Sequence, residues 1–442
     1  MEQAATTIEC DVLVVGGGPG GSTAATLLQR QGRRVLQLEK DRHPRFHIGE
    51  SLLPANLPIF DALGVMEKVR ALGVLKMGAD FPSEDGNYQT FHFSRALGTT
   101  PSHAFQVKRE DFDAMLFEHA RESGVDAREG VKVGHVDIDG VGRVTAQAKD
   151  AAGNALTVRA KYLIDASGRE TLLGDALKIK RKNDKHQSAA IFAHFDGVEM
   201  RPAEDAGNIS IYNFAHGWCW FIPLPGGVMS IGCVCRPEYL KQRRGRNEEF
   251  LLATLQLMPD AWRRMDNAKM TSDVRVTGNY SYTCARMAGP GWVMVGDAYA
   301  FVDPVFSSGV YLAMHSGKQA AAMVGAILDD PAREAALQRT FAARIQRGVR
   351  VFSWFIYRFN SPVMRHLFAH PGNQWQIEQG VISMLAGDVF DSPAVMQKLK
   401  LFKLVYACYG VGNLRRWLGE LITRRRQAKV AFSGGTTPVD PA

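Results

Sequence analysis

The stretch DVLVVGGGPGG, residues 11–21, decides the fold of this chain. It begins as a short buried parallel strand and ends in glycines at 16, 18 and 21, which fill the pattern G-x-G-x-x-G. The next residues, STAATLLQRQG, predict a helix rich in small side chains. These glycines permit a tight turn, and the helix start presents N–H groups to a pyrophosphate. The stretch therefore predicts a dinucleotide-binding unit.

A second strand, RVLQLEK, follows this helix and ends in Glu39 and Lys40. A carboxylate at that place in the unit can hold ribose hydroxyls. An isolated G-x-G-x-x-G is a weak signal, but strand, helix, strand and acid in register are specific. We expect the cofactor site to include Gly16, Gly18, Gly21, Glu39 and Lys40.

Two later segments favour FAD over NAD. KYLIDASGR, residues 161–169, is a strand that ends in a turn of small residues, and GWVMVGDAYAFVDPVFSSGVYLAMHSG, residues 291–317, is a strand, a loop and a helix. Asp297 suits the ribityl hydroxyls of a flavin, and the helix start at Gly309 suits its pyrimidine edge or a small anion. Arg109 is a candidate for the phosphates, with an ordinary surface arginine as the alternative.

These segments together resemble the FAD-dependent monooxygenase superfamily over roughly residues 8–330. The resemblance implies an α/β fold: a Rossmann-like FAD-binding domain, an inserted β-sheet substrate domain and a helical C-terminal lobe. The predicted boundaries are 8–70, 105–174 and 285–330 for the FAD domain, 71–104 and 175–284 for the substrate domain, 331–430 for the helical lobe and 431–442 for a flexible tail. Fold alone does not choose among the reactions of this superfamily.

Four further stretches of the chain carry specific motifs. GWCWFIPLP, residues 217–225, contains W-x-W-x-I-P at Trp218, Trp220, Ile222 and Pro223. FVDPVFSSG fits F-x-x-P-x-x-S-x-G, with Pro304 among its fixed positions, and HIGESLLP, residues 47–54, resembles the loop beside the flavin. The fourth stretch is GVLKMGADF, with Lys76. Together these motifs resemble the flavin-dependent halogenases, in particular the branch acting on pyrroles and phenols, and Lys76 lies where that family carries its reactive lysine.

The resemblance implies a chemistry for each motif. Reduced FAD, supplied by a separate flavin reductase, would use O2 to oxidise chloride or bromide to hypohalous acid. The amides of Ser307, Ser308 and Gly309 are expected to hold the halide, and Pro304 to contact the flavin. The two indoles would separate the flavin from the substrate and so prevent direct oxygen transfer. Lys76 would then hold the hypohalous acid or form a haloamine. Taken alone, a lysine in such a stretch is more often a solvated surface residue.

The halide loop departs from the tryptophan halogenases in one residue. Those enzymes carry a glutamate that assists the lysine, and this chain has Phe306 there. Either no carboxylate assists, or one comes from elsewhere, with Glu50 a candidate. We therefore expect the substrate to be an electron-rich pyrrole or phenol rather than free tryptophan. This ring is expected either as a free small molecule or tethered to an acyl or peptidyl carrier protein.

Composition and sequence motifs limit the other classes of protein to which the chain could belong. The chain has 442 residues, 46% apolar content and a formal net charge of +8, typical of a multi-domain α/β enzyme and a weak indication of acidic partners. No CxxC pair, metal motif, signal core or membrane-length apolar run is evident. We expect free buried cysteines, no metal, no nucleic acid, no stable membrane insertion and a cytoplasmic protein.

The C-terminal region, from about residue 331, shows helical periodicity and many basic residues. The basic residues are Arg415, Arg416 and Arg424–Arg426, with further clusters at 178–182 and 241–246. They are either a solvated face of a docked helix or a landing site for an acidic carrier protein, whose encounter rate charge would raise.

Three other functions are compatible with parts of the pattern. An FAD-dependent aromatic hydroxylase explains the FAD segments but not the halogenase motifs taken together. A reductase of polyprenyl or lipid chains and a non-catalytic flavoprotein that binds a charged partner are the other two alternatives.

Overall fold

The computed structural model describes residues 6–82, 87–139 and 142–412. The arginines at 415, 416 and 424–426 and the predicted tail therefore lie outside the described residues. The strands are β1 (Thr6–Val15), β2 (Val35–Glu39), β3 (Gly73–Lys76), β4 (Gly78–Pro82), β5 (Tyr88–His92), β6 (Ala104–Val107), β7 (Asp126–Glu129), β8 (Val131–Ile138), β9 (Val144–Asp150), β10 (Ala155–Asp165), β11 (Lys180–Asp196), β12 (Ile209–Phe214), β13 (Gly217–Pro223), β14 (Met229–Cys235), β15 (Lys269–Met270), β16 (Arg275–Cys284), β17 (Ala288–Gly289), β18 (Trp292–Met294) and β19 (Ala300–Phe301). The α-helices are α1 (Pro19–Gln29), α2 (Leu57–Leu63), α3 (Met66–Leu72), α4 (Arg109–Glu122), α5 (Leu172–Ala176), α6 (Pro237–Leu240), α7 (Asn247–Gln256), α8 (Pro259–Arg263), α9 (Ser308–Asp329), α10 (Glu334–Ile356), α11 (Pro362–Ala369), α12 (Ile377–Leu385) and α13 (Pro393–Gly412).

The first sheet is parallel at its centre, in the order β18-β10-β1-β2-β7. Its central strands are nearly continuous apolar runs because helices cover them, as in other parallel sheets. Helix α1 packs closely on α9, where a Cβ added to Gly317 would lie 2.4 Å from the carbonyl oxygen of Gly20. Glycine at 317 therefore sets how near the two helices approach.

The second sheet has the order β19-β16-β11-β14-β13-β12-β4-β5. It draws its strands from three separate parts of the chain, so one face carries residues that are distant in sequence. β3 and β6 form a small separate sheet beside it. The chain passes from that small sheet into the large one at Met77, immediately after Lys76.

Two features of this region differ from the sequence-based expectation. Residues 237–263 form the short helices α6, α7 and α8 inside the region predicted to be β-sheet. Cys219 and Cys233, expected to be free, form a disulfide because the β13–β14 register places them directly opposite each other. Cys235 is free and buried, as expected.

The C-terminal lobe consists of α10–α13 and packs against the body through aromatic contacts such as Phe368 of α11 on Phe81 of β4, with ring centroids 5.0 Å apart. Among the described residues, no helix combines the length and hydropathy needed to cross a membrane. The predicted fold class, an α/β nucleotide-binding domain with an inserted sheet and a helical lobe, is confirmed.

Candidate functional site

The glycine turn after β1 has the geometry of a dinucleotide-binding loop. Gly16 adopts φ +112°, and a Cβ there would lie 2.2 Å from the carbonyl oxygen of Ala166, so only glycine fits. A Cβ on Gly21 would lie 2.1 Å from the Gly16 carbonyl oxygen, which explains the close packing of α1 on β1. Gly18 instead borders open space and precedes the first N–H groups of α1. The turn can therefore receive a phosphate at Gly18.

A large open cavity of about 380 Å³ begins at this turn and extends to the second sheet. It brings together most of the residues that the sequence predicts for the cofactor, the halide and the aromatic wall. Those lining it are Gly16, Gly18, Glu39, Lys40, Arg109, Trp218, Trp220, Ile222, Asp297, Pro304, Ser307 and Gly309. Gly21, Pro223, Ser308 and Lys76 are not among the lining residues.

Glu39 is held at the end of β2 by backbone donors. Its carboxylate accepts hydrogen bonds from the N–H of Gly17 at 2.6 Å and from the N–H of Asp41 at 3.0 Å. It is almost fully buried yet borders the cavity. A ribose hydroxyl could donate to its remaining acceptor positions, as the Rossmann-type motif requires.

Among the described residues, three arginines border the cavity, and two of them, Arg45 and Arg109, bear on the expectation for the phosphates. Arg109 forms two hydrogen bonds to Asp113, at 2.8 and 2.9 Å, and donates to the carbonyl of Ile48 at 2.9 Å. Arg45 lies nearer the glycine turn, with Nη2 3.8 Å from the position of a Cβ at Gly18. Sequence reasoning missed Arg45, because nothing local to DRHPRF indicates that the chain returns to the glycine turn.

The 47–54 loop lies along the cavity and contains a buried carboxylate. Glu50 is 1% exposed, and its Oε1 lies 3.0 Å from Nε2 of His194. Its Oε2 is buried without a hydrogen-bond partner among the described residues. Glu50 therefore faces His194 and the cavity, and the structure does not show the proposed contact with Lys76.

Asp297 lies in a short turn of 3-10 helix, Gly296–Ala298, that follows β18. Burial raises the pKa of its carboxyl to about 6, against the opposing effect of the Arg169 guanidinium. Arg169 itself borders the cavity and stacks over the Phe301 ring at 4.7 Å. The carboxyl is thus a hydrogen-bonding group for polyol hydroxyls in a partly desolvated position.

The aromatic wall forms as the strand alternation predicts. Trp218 and Trp220 lie on the same face of β13, buried, with ring centroids 5.9 Å apart. The indole N–H of Trp220 donates to the Ser230 hydroxyl at 3.2 Å, and that of Trp218 to the Asp303 carboxylate. Asp303 belongs to the F-x-x-P-x-x-S-x-G loop, so the wall and that loop are tied together.

The halide loop offers fewer free amides than the sequence suggested. The N–H of Ser307 already donates to the carbonyl of Pro304 at 2.9 Å, with Ser307 in the left-handed region at φ +55°. Helix α9 begins at Ser308, and the first N–H groups of a helix have no intrahelical acceptor. Ser308 and Gly309 therefore remain as backbone donors for an anion.

Lys76 is buried and does not line the large cavity, because Ser307 and Ile209 lie between the two. It is 1% exposed, and its Nζ donates to the Ser51 hydroxyl at 2.9 Å and to the carbonyl of Leu52 at 3.0 Å. Burial lowers the pKa of the amine to about 7. No carboxylate forms an ion pair with it within residues 6–82, 87–139 and 142–412.

A second, very small cavity of about 10 Å³ lies at Lys76. Ser307 and Ile209 line both cavities, so they form the partition between them. Phe306 also borders the small cavity and packs on Phe359, with ring centroids 5.4 Å apart. Apart from Lys76 and Ser307, the lining side chains are apolar; they are Leu53, Ala79, Phe81, Phe93, Ile209, Ile211, Val305, Phe306 and Leu385.

Comparison with known proteins agrees with this geometry. Residues 9–354 match the model of the FAD binding domain family. The chain is 35% identical over 397 residues to a tryptophan 2-halogenase of Chondromyces crocatus, covering 87% of this chain and 74% of that protein. It is 28% identical over 425 residues to a 1H-pyrrole-2-carbonyl-[peptidyl-carrier protein] chlorinase of Pseudomonas fluorescens Pf-5, covering 90% and 93%. The solved structure of the flavin-dependent brominase Bmp2 superposes with a TM-score of 0.79 at 28% identity, over 90% of this chain and 99% of that one.

Proposed function

The chain belongs to the flavin-dependent halogenases, with FAD as its cofactor, and on that premise we propose how its own residues divide the reaction between two cavities. The large cavity is the place where O2 and a halide give hypohalous acid. The small cavity at Lys76 is the place of ring halogenation; at about 10 Å³ it holds no more than about one water molecule, so its apolar lining must move apart to admit the ring. The observation that most directly supports this proposal is that Lys76 is buried behind Ser307 and Ile209, the partition that also borders the large cavity.

In the large cavity, bound reduced FAD supplies the electrons and the activation of O2. A separate flavin reductase provides it in reduced form. The amides of Ser308 and Gly309, at the positive end of α9, hold the chloride or bromide beside it. The two indoles, fixed by Asp303 and Ser230, keep an organic substrate away from the flavin. The halide is therefore the group that is oxidised.

At Lys76, the neutral amine receives the halogen. Two of its hydrogens donate to Ser51 and Leu52, so the lone pair is left for the small cavity. An N–H bond is replaced by N–halogen, and the hydroxyl of hypohalous acid leaves with that proton as water. The halogen then passes to a ring carbon, and the ring proton returns to the amine. A lowered pKa makes the neutral form available near pH 7.

The substrate is an uncharged, electron-rich ring such as a pyrrole or phenol. Among the described residues, the lining of the small cavity is apolar apart from Lys76 and Ser307 and includes no carboxylate, so the ammonium group of free tryptophan would be buried there without an ion-pair partner. The Chondromyces relative acts on tryptophan by its name, but this chain spans only 74% of it. The match over 93% of the pyrrolyl-carrier chlorinase supports a ring tethered to a carrier protein.

The test is a reconstituted reaction with FAD, a flavin reductase, NADH and chloride or bromide. Phenols, pyrroles and indoles are offered free and carrier-loaded, and products are read by the halogen isotope pattern in mass spectra. We expect a halogenated pyrrole or phenol with the native protein and none with Lys76→Met, which keeps the side-chain length. A hydroxylated product would refute the proposal, and halogenated free tryptophan would refute its substrate.

A further inference from the structure

The strand that carries Lys76 changes sheets directly after that residue. β3 ends at Lys76 and pairs with β6, whereas β4 begins at Gly78 and pairs with β12 and β5. At this switch, the N–H groups of Met77 and Gly78 leave one ladder before they enter the next. A buried N–H without an acceptor costs about 1–3 kcal/mol, so the switch needs an acceptor from outside both ladders.

Asn208 provides that acceptor. Its Oδ1 accepts from the N–H of Met77 at 3.1 Å and from the N–H of Gly78 at 2.6 Å. Its Nδ2 donates to Asp205 at 2.9 Å and to Asp80 at 3.3 Å. Asn208 is 1% exposed, and this set uses both acceptor positions and both donor hydrogens of the amide. The side chain is therefore held rigidly while it holds the strand.

The residues on either side of Asn208 contact the same stretch of chain, the strand that carries Lys76 and its continuation into β4. A Cβ on Gly207 would lie 1.8 Å from the carbonyl oxygen of Leu75, so the backbones touch just before Lys76. Ile209 pairs with Ala79 just after it, and Ile209 also forms the partition between the two cavities. Residues 207–209 thus contact the lysine strand on both sides of Lys76 and continue into the partition.

We propose that Asn208 is a positioning residue that sets the backbone of Lys76 relative to the partition at Ile209. Ser51 and Leu52 fix only the end of the lysine side chain, whereas Asn208 fixes the place from which that side chain starts. This inference rests on the proposed function of Lys76. It predicts that loss of the amide separates formation of hypohalous acid from its use.

The test compares Asn208→Ala and Asn208→Ser with Thr254→Val. Thr254 is fully buried in α7 and also has two hydrogen-bond contacts, to Phe250 and Tyr239, but it borders neither cavity. Two products are measured together. One is the halogenated ring; the other is the halogenated form of a 1,3-diketone, which is added to trap hypohalous acid that escapes from the protein. The serine variant keeps a polar group at the buried position in case the alanine variant does not fold.

In both Asn208 variants, we expect ring product to fall on the order of ten- to a hundred-fold, because ångström-scale misplacement has effects of this size. Trapped halogen should rise correspondingly, while FAD binding stays as in Thr254→Val. If ring product and trapped halogen fall together, or if neither changes, the positioning role is wrong.

Hydrogen exchange gives a readout that does not need activity. The amides of Met77 and Gly78 should exchange faster in the Asn208 variants and not in Thr254→Val. If native protein makes no halogenated product, the proposed function has failed, and the exchange result still decides whether Asn208 holds this strand. Unchanged exchange at both amides would overturn the inference regardless of activity.

Discussion

Nζ of Lys76 lies 2.9 Å from the hydroxyl of Ser51, and Ser51 follows Glu50 in the loop that borders the large cavity. The lysine is therefore attached to the same loop that lies along the FAD site, although it faces a separate cavity. Ser51 itself lines the large cavity, so a group that occupies that cavity would lie next to the hydroxyl that holds the end of the lysine side chain.

The pH dependence follows from the buried amine. Burial lowers the pKa of Lys76 to about 7, so the neutral fraction grows as pH rises through that value. If the amine must be neutral to receive halogen, ring halogenation should increase between about pH 6 and 8 and then level off. The measurement is the ratio of ring product to flavin oxidised at each pH, which removes any pH effect on the flavin reaction. A flat ratio would contradict the haloamine step.

The same burial predicts that Lys76 lowers stability. The unfolded chain binds the lysine proton up to about pH 10.5, whereas the folded protein loses it near 7, so Lys76 makes the free energy of unfolding rise with pH in that window. Lys76→Met replaces the buried amine with an apolar chain of similar length. We expect a higher Tm than native at pH 7, and a difference that shrinks toward pH 10, by calorimetry. An unchanged or lower Tm at pH 7 would mean that the amine is not desolvated.

A carboxylate beside the lysine should move this titration. Phe306 and Lys76 border the same small cavity, so Phe306→Glu introduces an opposite charge near the amine and raises its pKa. We expect the midpoint of the pH profile to shift upward, and turnover of a poorly activated ring to increase only at pH values above the shifted midpoint, where the amine is neutral. Phe306→Leu is the control, because it changes the packing against Phe359 without adding charge. Equal pH profiles for the two variants would show that the side chain at position 306 does not influence the pKa of Lys76.

Local sequence patterns were sufficient for the glycine turn and the wall. G-x-G-x-x-G with its strand and helix is read within about thirty residues, and W-x-W needs only strand alternation to place both indoles on one face. The position of Lys76, the Cys219–Cys233 pair and the return of Arg45 depend on which distant strands and loops meet. That information is in the packing of the whole chain, so a single sequence did not reveal it.

Arg45 is expected to contribute to FAD binding. Its guanidinium lies 3.8 Å from the position of a Cβ at Gly18, 3.4 Å from Glu39 and 3.5 Å from Asp113. A hydrogen bond to a charged group contributes about 1.5–3 kcal/mol, so Arg45→Met should weaken FAD binding by roughly ten-fold or more. Quenching of flavin fluorescence measures the Kd. Arg70→Met, at an exposed arginine paired with Glu67, is the control and should bind FAD as native does.

The wall should determine which atom reaches the substrate. Trp218 is buried at the cavity and anchored by Asp303, whereas Trp375 is 68% exposed on the C-terminal lobe. Trp218→Ala removes an indole that borders the large cavity, so we expect hydroxylated ring to appear and the halogenated fraction to fall. Asp303→Ala should give a weaker change of the same kind, because the indole remains but loses its anchor. Mass spectra distinguish oxygen from halogen addition, and Trp375→Ala should match the native product ratio. If Trp218→Ala yields the native ratio as well, the indole is core packing and does not separate flavin from substrate.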